Sequence, residues 1–181
     1  MAKATIDYDL LYIGQSVIWV GKHTYPATSG LPGYQNAANQ GIVDHGPIPE
    51  GLYSFPLKMG GVGHMTSTTT LDTGQGVQSL PAHFTFRGQT YDNNAWGPDR
   101  VRLTTHHIDS PKNRHRNGFY LHDSTKGFSH GCIEISPHFF KHLRDYISSG
   151  AAKRDHRKNL YLRVQYLTDD ISTYGGTKVD P

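Results

Sequence analysis

The apolar residues of this chain come in short runs, and each run is interrupted by glycine or proline within a few positions. The 181 residues include 20 glycines and 10 prolines. Because β-branched and aromatic residues favour strands and such runs are too short for helices, most of the chain is expected to form strands joined by tight turns. The runs that best fit strands are residues 10–13, 16–20, 23–25, 52–55, 83–87, 101–104, 118–122 and 160–165.

One helix is predicted over residues 136–150. Phe140, Leu143 and Ile147 repeat at helical spacing, and Gly150 can end the helix. A chain of this length normally forms one domain. We therefore expect a mainly β, single-domain sandwich or barrel with one or two short helices. Residues 1–167 would form the domain, and the polar residues 168–181 would form a flexible C-terminal tail.

Composition excludes several function classes. The net charge is +3, and the basic cluster at residues 153–158 has no interleaved aromatic residues for base stacking, so no nucleic-acid partner is expected. No apolar run reaches the roughly 18 residues of a membrane span, and residues 1–7 lack the apolar stretch of a signal peptide. We expect a protein that is made in the cytoplasm, does not enter the general secretion route and does not insert in a membrane.

Cysteine use is equally restrictive, because Cys132 is the only cysteine. An internal disulfide and the common zinc frameworks of paired cysteines are both excluded. Histidine is frequent, but His106 and His107 would face opposite ways on a strand and make a poor metal pair. No metal and no cofactor is expected.

The segment from residue 118 to 135 carries the most chemical information. A strand ends at His122, a polar loop follows, and a second strand begins at Cys132. Two neighbouring strand ends would bring the imidazole to the thiol, which becomes a good nucleophile only as a thiolate. Gly131 leaves the backbone uncovered, so the amides around Cys132 can face a developing oxyanion. This combination predicts an acyl-transfer site.

Other interpretations of these residues stay open. A lone cysteine is often a small buried apolar residue. His130 is a second candidate for the base, although a supporting role is favoured. Asp123 should point away from the face that carries His122, so a backbone carbonyl is the better candidate to orient the base. Ser29 and Tyr34 lie in loops expected over the cleft, where a role as turn and cover residues is equally compatible.

The sequence Ser129-His130-Gly131-Cys132-Ile133 resembles the signature of the L,D-transpeptidases. The resemblance implies that Cys132 and His122 are the catalytic pair, that the amides of Gly131 and Cys132 form the oxyanion site, and that Tyr120, Ser129 and His130 line it. Only nine residues, 123–131, separate the pair, and Glu134 stands where the cell-wall enzymes commonly carry arginine. The short spacing is more similar to the small L,D-transpeptidase-like toxins that bacteria deliver by type VI secretion.

The resemblance also implies a function. Cys132 would attack the bond between diaminopimelate and D-alanine in a peptidoglycan tetrapeptide stem and form a thioester. Attack on the thioester by water would give L,D-carboxypeptidase activity. Attack by a free D-amino acid would give exchange, and attack by another stem would give a cross-link. Such an effector would be secreted into the periplasm of a target bacterium. Its expected partners are peptidoglycan stems, a cognate immunity protein and type VI secretion components.

Two rival functions remain. A papain-like amidase or endopeptidase would place its cysteine at the start of a helix and its histidine later in the chain, which is the reverse of the order here. A cell-wall-binding module that has lost catalysis would not need both Cys132 and His122. We therefore predict a cysteine-dependent enzyme.

Overall fold

The computed structural model describes residues 8–63 and 74–180. Residues 1–7, on which the expectation about secretion rests, lie outside the described part, as do residues 64–73 and 181. The fold is mainly β with short helices, as the sequence predicts. The strands are β1 Leu10–Tyr12, β2 Ser16–Trp19, β3 Thr24–Ser29, β4 Gly51–Pro56, β5 Met59–Val62, β6 Val77–Ser79, β7 His83–Phe86, β8 Gln89–Asp92, β9 Asp99–Arg102, β10 Thr104–Ile108, β11 Tyr120–His122, β12 Ile133–Ile135 and β13 Asn159–Val164.

The described strands form one large sheet and a separate hairpin. The sheet has the order β10-β4-β13-β1-β2-β3-β12-β11-β9-β6-β5, and the hairpin pairs β7 with β8. Strand β3 joins the two halves of the sheet, because its first part pairs with β2 and its second part pairs with β12. This arrangement agrees with the expected single-domain, sandwich-like β fold.

The helices are α1 Pro137–Ser148 and α2 Ala151–Arg154, separated by Gly150 in the left-handed conformation with φ 78°. Of the predicted apolar face of helix α1, Phe140 and Leu143 are buried in the core and Ile147 is partly buried against it. Phe139, which was not in the predicted set, is buried as well. Trp19 of β2 packs edge-on against Tyr146 at 5.2 Å between ring centroids. Within the described residues, no helix is long and apolar enough to cross a membrane.

The pairing of β11 with β12 positions His122 and Cys132, the two residues that the sequence predicts to be catalytic. The two strands run parallel, with Leu121 opposite Ile133 and His122 opposite Glu134. Strand β12 also pairs with β3 on its other side, so it is central in this half of the sheet. Continuing the register by one residue places Cys132 level with Tyr120. Cys132, which directly precedes β12, is therefore two residues out of register with His122, at the opposite end of the strand pair.

The C-terminal residues differ from the expected flexible tail. Thr173 and Thr177 are buried. Thr173 exchanges hydrogen bonds with Ser29 of β3, since the Ser29 amide donates to the Thr173 carbonyl and the Thr173 hydroxyl donates to the Ser29 carbonyl. Thr177 donates to the carboxylate of Glu134. Residues 168–180 thus pack along the domain, held by polar side chains, by backbone hydrogen bonds and by the partly buried Ile171.

Deleting residues 168–181 should therefore destabilise the whole domain. Several buried hydrogen bonds of about 1 kcal/mol each would be lost, and the expected decrease in the free energy of unfolding is about 3–5 kcal/mol. Urea denaturation followed by tryptophan fluorescence measures this loss. Removal of residues 180 and 181 alone is the matched control. An equal unfolding midpoint for the two truncations would contradict the packed tail.

Candidate active site

A cavity of about 480 Å³ opens beside the β11–β12 pair. Its lining includes five of the six residues that the sequence placed at the site, namely Tyr120, His122, Ser129, His130 and Cys132. The sixth, Gly131, packs against the guanidinium of Arg116, which also lines the cavity. The structure thus gathers the sequence-predicted residues around one opening.

The environment of His122 keeps its ring neutral. Its side chain is buried, its Nδ1 atom lies 3.1 Å from Ser124 Oγ, and the Trp96 ring meets it edge-on at 5.6 Å. The pKa of His122 is lowered to about 3, first because burial disfavours the charged ring and second because the Lys126 ammonium lies nearby. A backbone hydrogen bond to Trp96 offsets this only in part. Near neutral pH the imidazole is therefore unprotonated, and it is a weak base in the resting structure.

Cys132 is protonated at rest for a similar reason. Its side chain is partly buried just before β12. Burial raises the pKa of the Cys132 thiol, and a backbone hydrogen bond from Tyr120 and the nearby charges of Arg102 and Lys126 lower it only in part. Among the described residues, His122 bonds Ser124 and the Trp96 backbone rather than the thiol. The resting pair is a neutral thiol and a neutral imidazole, and such contacts commonly tighten when substrate binds.

Two buried serines fix the backbone at the cysteine. The Ser29 hydroxyl donates to the Cys132 carbonyl at 2.8 Å, and the Ser129 hydroxyl donates to the same oxygen. In turn, the Ile48 amide donates to Ser29 Oγ at 2.9 Å and the Gly30 amide donates to Ser129 Oγ at 3.2 Å. Ser29, which the sequence placed in a covering loop, and Ser129 are both committed to holding this backbone.

Gly131 has a conformation that only glycine adopts without strain. Its φ is 110°, and a Cβ atom there would lie 2.3 Å from Nη2 of Arg116. The Gly131 carbonyl faces Ser29 Oγ at 3.5 Å. Because the peptide is planar and trans, the Cys132 amide points away from Ser29. That orientation leaves this amide outside the serine network, as an oxyanion donor requires.

His130 and Tyr120 lie on different parts of the wall. His130 is exposed, and its Nδ1 atom is 3.1 Å from the Asp44 carbonyl, so it belongs to the cavity mouth. Tyr120 is buried, with its hydroxyl accepting from Arg102 at 3.2 Å and its ring against Trp96 at 4.8 Å. The two histidines of the lining thus differ in environment, since His122 is buried and His130 is exposed.

Asp123 points away from His122, in line with the alternation of a strand. Its carboxylate accepts from the Asp99 amide at 2.9 Å. Burial raises the pKa of Asp123 to about 7. The hydrogen bond from the Asp99 amide lowers this pKa in part, and the negative charge of Asp99 raises it. This carboxyl belongs to the packing between β9 and β11 rather than to the orientation of the base.

Sequence reasoning missed several residues at this site. Arg116, Lys126 and Trp96 line the cavity, and Ser124 and Glu134 lie behind His122. Lys126 and Ser124 sit in the polar loop between the predicted catalytic residues, and that position was the one available hint. Arg116 and Trp96 come from separate segments that only the fold brings close. Within the described part of the chain, no group of three potential ligands from histidine, cysteine, aspartate and glutamate is placed to hold a metal.

Comparison with known proteins gives no family assignment. No protein-family model matches the chain, and no curated protein matches it.

The neutral thiol–imidazole pair predicts how Cys132 reacts with iodoacetamide. Because its pKa is raised, the alkylation rate should climb about tenfold per pH unit between pH 7 and 9, without a plateau at acidic pH. Intact-mass spectrometry measures the rate directly, since the chain has a single thiol. Glutathione under the same conditions is the control. A rate that is already constant below pH 6 would reveal a thiolate–imidazolium pair and contradict this description.

Proposed function

We propose that this protein is a cysteine-dependent acyl-transfer enzyme of the L,D-transpeptidase type that acts on peptidoglycan tetrapeptide stems. One observation carries the proposal: Cys132 and the neutral imidazole of His122 line one cavity, next to a Gly131 backbone of positive φ. A thiol and an imidazole that line the same cavity are the two side chains that cysteine-dependent acyl transfer uses. The Ser-His-Gly-Cys sequence adds the substrate class by resemblance.

The proposed first half-reaction forms a thioester. His122 accepts the thiol proton as Cys132 Sγ attacks the carbonyl carbon of the L-centre of diaminopimelate. The amides of Gly131 and Cys132 stabilise the oxyanion, and each donor contributes about 3 kcal/mol in comparable sites. As the carbon–nitrogen bond breaks, His122 returns the proton to the amine of the departing D-alanine.

The second half-reaction consumes the thioester. With His122 as base, water releases a tripeptide stem and restores the thiol. A free D-amino acid gives exchange at the same carbon, and the side-chain amine of another stem gives a cross-link. Hydrolysis and exchange both remove the tetrapeptide donors that a growing wall needs, which supports the role of an antibacterial effector.

The cavity lining holds two cations, Arg116 and Lys126, and one anion, Asp44, and this excess of positive charge supports an anionic substrate. Lys126 lines the cavity within electrostatic reach of Cys132. Arg116, 5% exposed, donates to the carbonyls of Gln40, Gly46 and Pro47, which fix the guanidinium without neutralising its charge. Peptide stems carry carboxylates, so these two cations supply the charge that the arginine of the family pattern would have provided at Glu134.

Delivery and partners belong to the same proposal. The nine-residue spacing between His122 and Cys132 favours the toxin branch of the family, whose members act in the periplasm of another bacterium. Such a protein would need a secretion component for delivery and an immunity protein that protects the producer.

The order of the site residues disfavours a papain-like amidase or endopeptidase. Cys132 directly precedes strand β12 rather than a helix, and His122 precedes it in the chain. A non-catalytic wall-binding module would have no use for a neutral base beside a thiol in the same cavity.

Incubation with purified disaccharide-tetrapeptide should release D-alanine and leave the tripeptide. Mass spectrometry follows both products, and addition of a chelator should not change the rate. Cys132→Ala should abolish release, and His122→Gln should lower kcat by at least about 100-fold. His138→Gln, on the exposed side of α1, is the matched control and should keep full activity. No release from any stem, or undiminished release by Cys132→Ala, would refute the proposal.

Lys126→Met should weaken substrate binding more than catalysis. If Lys126 pairs with the carboxylate of the departing D-alanine, the variant should raise KM about tenfold, equivalent to ~1.4 kcal/mol, with kcat changed little. A stem that ends in D-alaninamide should bind the two proteins equally. A tenfold difference that persists with the amide would place the Lys126 contact elsewhere on the substrate.

A further inference from the structure

The hydroxyl of Ser124 bridges two buried groups. Its Oγ atom lies 3.1 Å from Nδ1 of His122 and also bonds Oε2 of Glu134. His122, Ser124 and Glu134 are 2%, 5% and 0% exposed. The register of β11 and β12 sets His122 opposite Glu134, which explains why one short side chain can reach both. The three residues form a chain of hydrogen bonds that ends at the predicted base.

The direction of these hydrogen bonds follows from counting protons. Besides Ser124, three donors reach the carboxylate of Glu134: the amides of Lys126 and Gly127, at 3.1 and 2.8 Å, and the hydroxyl of Thr177. Such a ring of donors suits an ionised carboxylate, which only accepts. A serine hydroxyl has one proton. If the Ser124 hydroxyl donates its hydrogen bond to Glu134, its oxygen can only accept a hydrogen bond from Nδ1 of His122.

We propose that Ser124 and Glu134 are positioning residues that hold neutral His122 in the tautomer with its proton on Nδ1. That tautomer leaves the lone pair on Nε2, where it can accept the proton of Cys132. The effect on catalysis rests on the proposed function, but the tautomer itself does not. The acidic residue that replaces the arginine of the family pattern would then serve the base rather than the substrate.

Other groups around the His122 ring could compete with Ser124 for the ring proton. Lys126 and Arg100 are the cations close enough to disfavour a charged ring. Neither can accept a proton from a neutral imidazole. The backbone carbonyl of Trp96 is the competing acceptor for the ring proton. If that carbonyl accepted a hydrogen bond from a protonated Nε2, the Ser124 hydroxyl would have to donate to Nδ1, and Glu134 would lose one of its hydrogen-bond donors.

Nitrogen-15 spectroscopy of the histidine rings tests the tautomer without any substrate. In the wild-type protein at pH 7, long-range ¹H–¹⁵N correlations of His122, assigned by its loss in His122→Gln, should show a protonated Nδ1 and an unprotonated Nε2. A protonated Nε2 would overturn the proposal even if the protein releases D-alanine. If the expected tautomer is found in a protein that does not release D-alanine, the roles of Ser124 and Glu134 in setting the tautomer stand and the proposed enzymatic function is refuted.

Variants of the hydroxyl separate positioning from general stability. Ser124→Ala should shift His122 toward the Nε2-protonated form and lower kcat at least about tenfold with little change in KM. Ser124→Thr, which keeps the hydroxyl, should restore the wild-type spectrum and most of kcat. Thr125→Ala, an exposed neighbour in the same loop, is the control. An unchanged His122 spectrum in folded Ser124→Ala would contradict the role assigned to Ser124.

Discussion

The buried carboxylate of Glu134 ties together the three pieces of chain that build the site. It lies on the central strand β12, accepts from the loop at Ser124, Lys126 and Gly127, and accepts from the C-terminal segment at Thr177. An unpaired buried charge would cost several kcal/mol, so the fold must bring all these donors together. The position of the loop, the packing of the last residues and the orientation of His122 all follow from that requirement.

Burial also explains the electrostatics of the proposed reaction. It lowers the pKa of His122 to about 3 and raises that of Cys132, so that neither group is charged before substrate arrives. A resting ion pair would have to be stabilised by the protein at all times. A neutral pair instead needs stabilisation only as charge develops during attack, which is where the Gly131 region and the nearby cations of the cavity can act.

Local patterns predicted helix α1, the two residues that line one cavity, and strands β1–β4, β7, β9 and β11–β13, because alternation, helical spacing and turn residues act over a few positions. Strands β5, β6, β8 and β10 were not predicted. The packed C-terminal segment was not predictable in this way. Thr173 and Thr177 have no apolar periodicity, and their partners Ser29 and Glu134 are distant in the chain. Glu134 stood out only as a departure from a family pattern, since its role depends on Ser124 and on a strand register that the sequence does not specify.

The central claim is that Cys132 becomes acylated by a peptide stem. Rapid mixing with excess tetrapeptide, acid quenching and intact-mass spectrometry test it most directly. The account predicts a transient adduct that adds to Cys132 the mass of the tetrapeptide stem minus one D-alanine molecule and is absent from Cys132→Ala. Release of D-alanine with an unmodified protein at every time point, under conditions that trap a thioester, would contradict it.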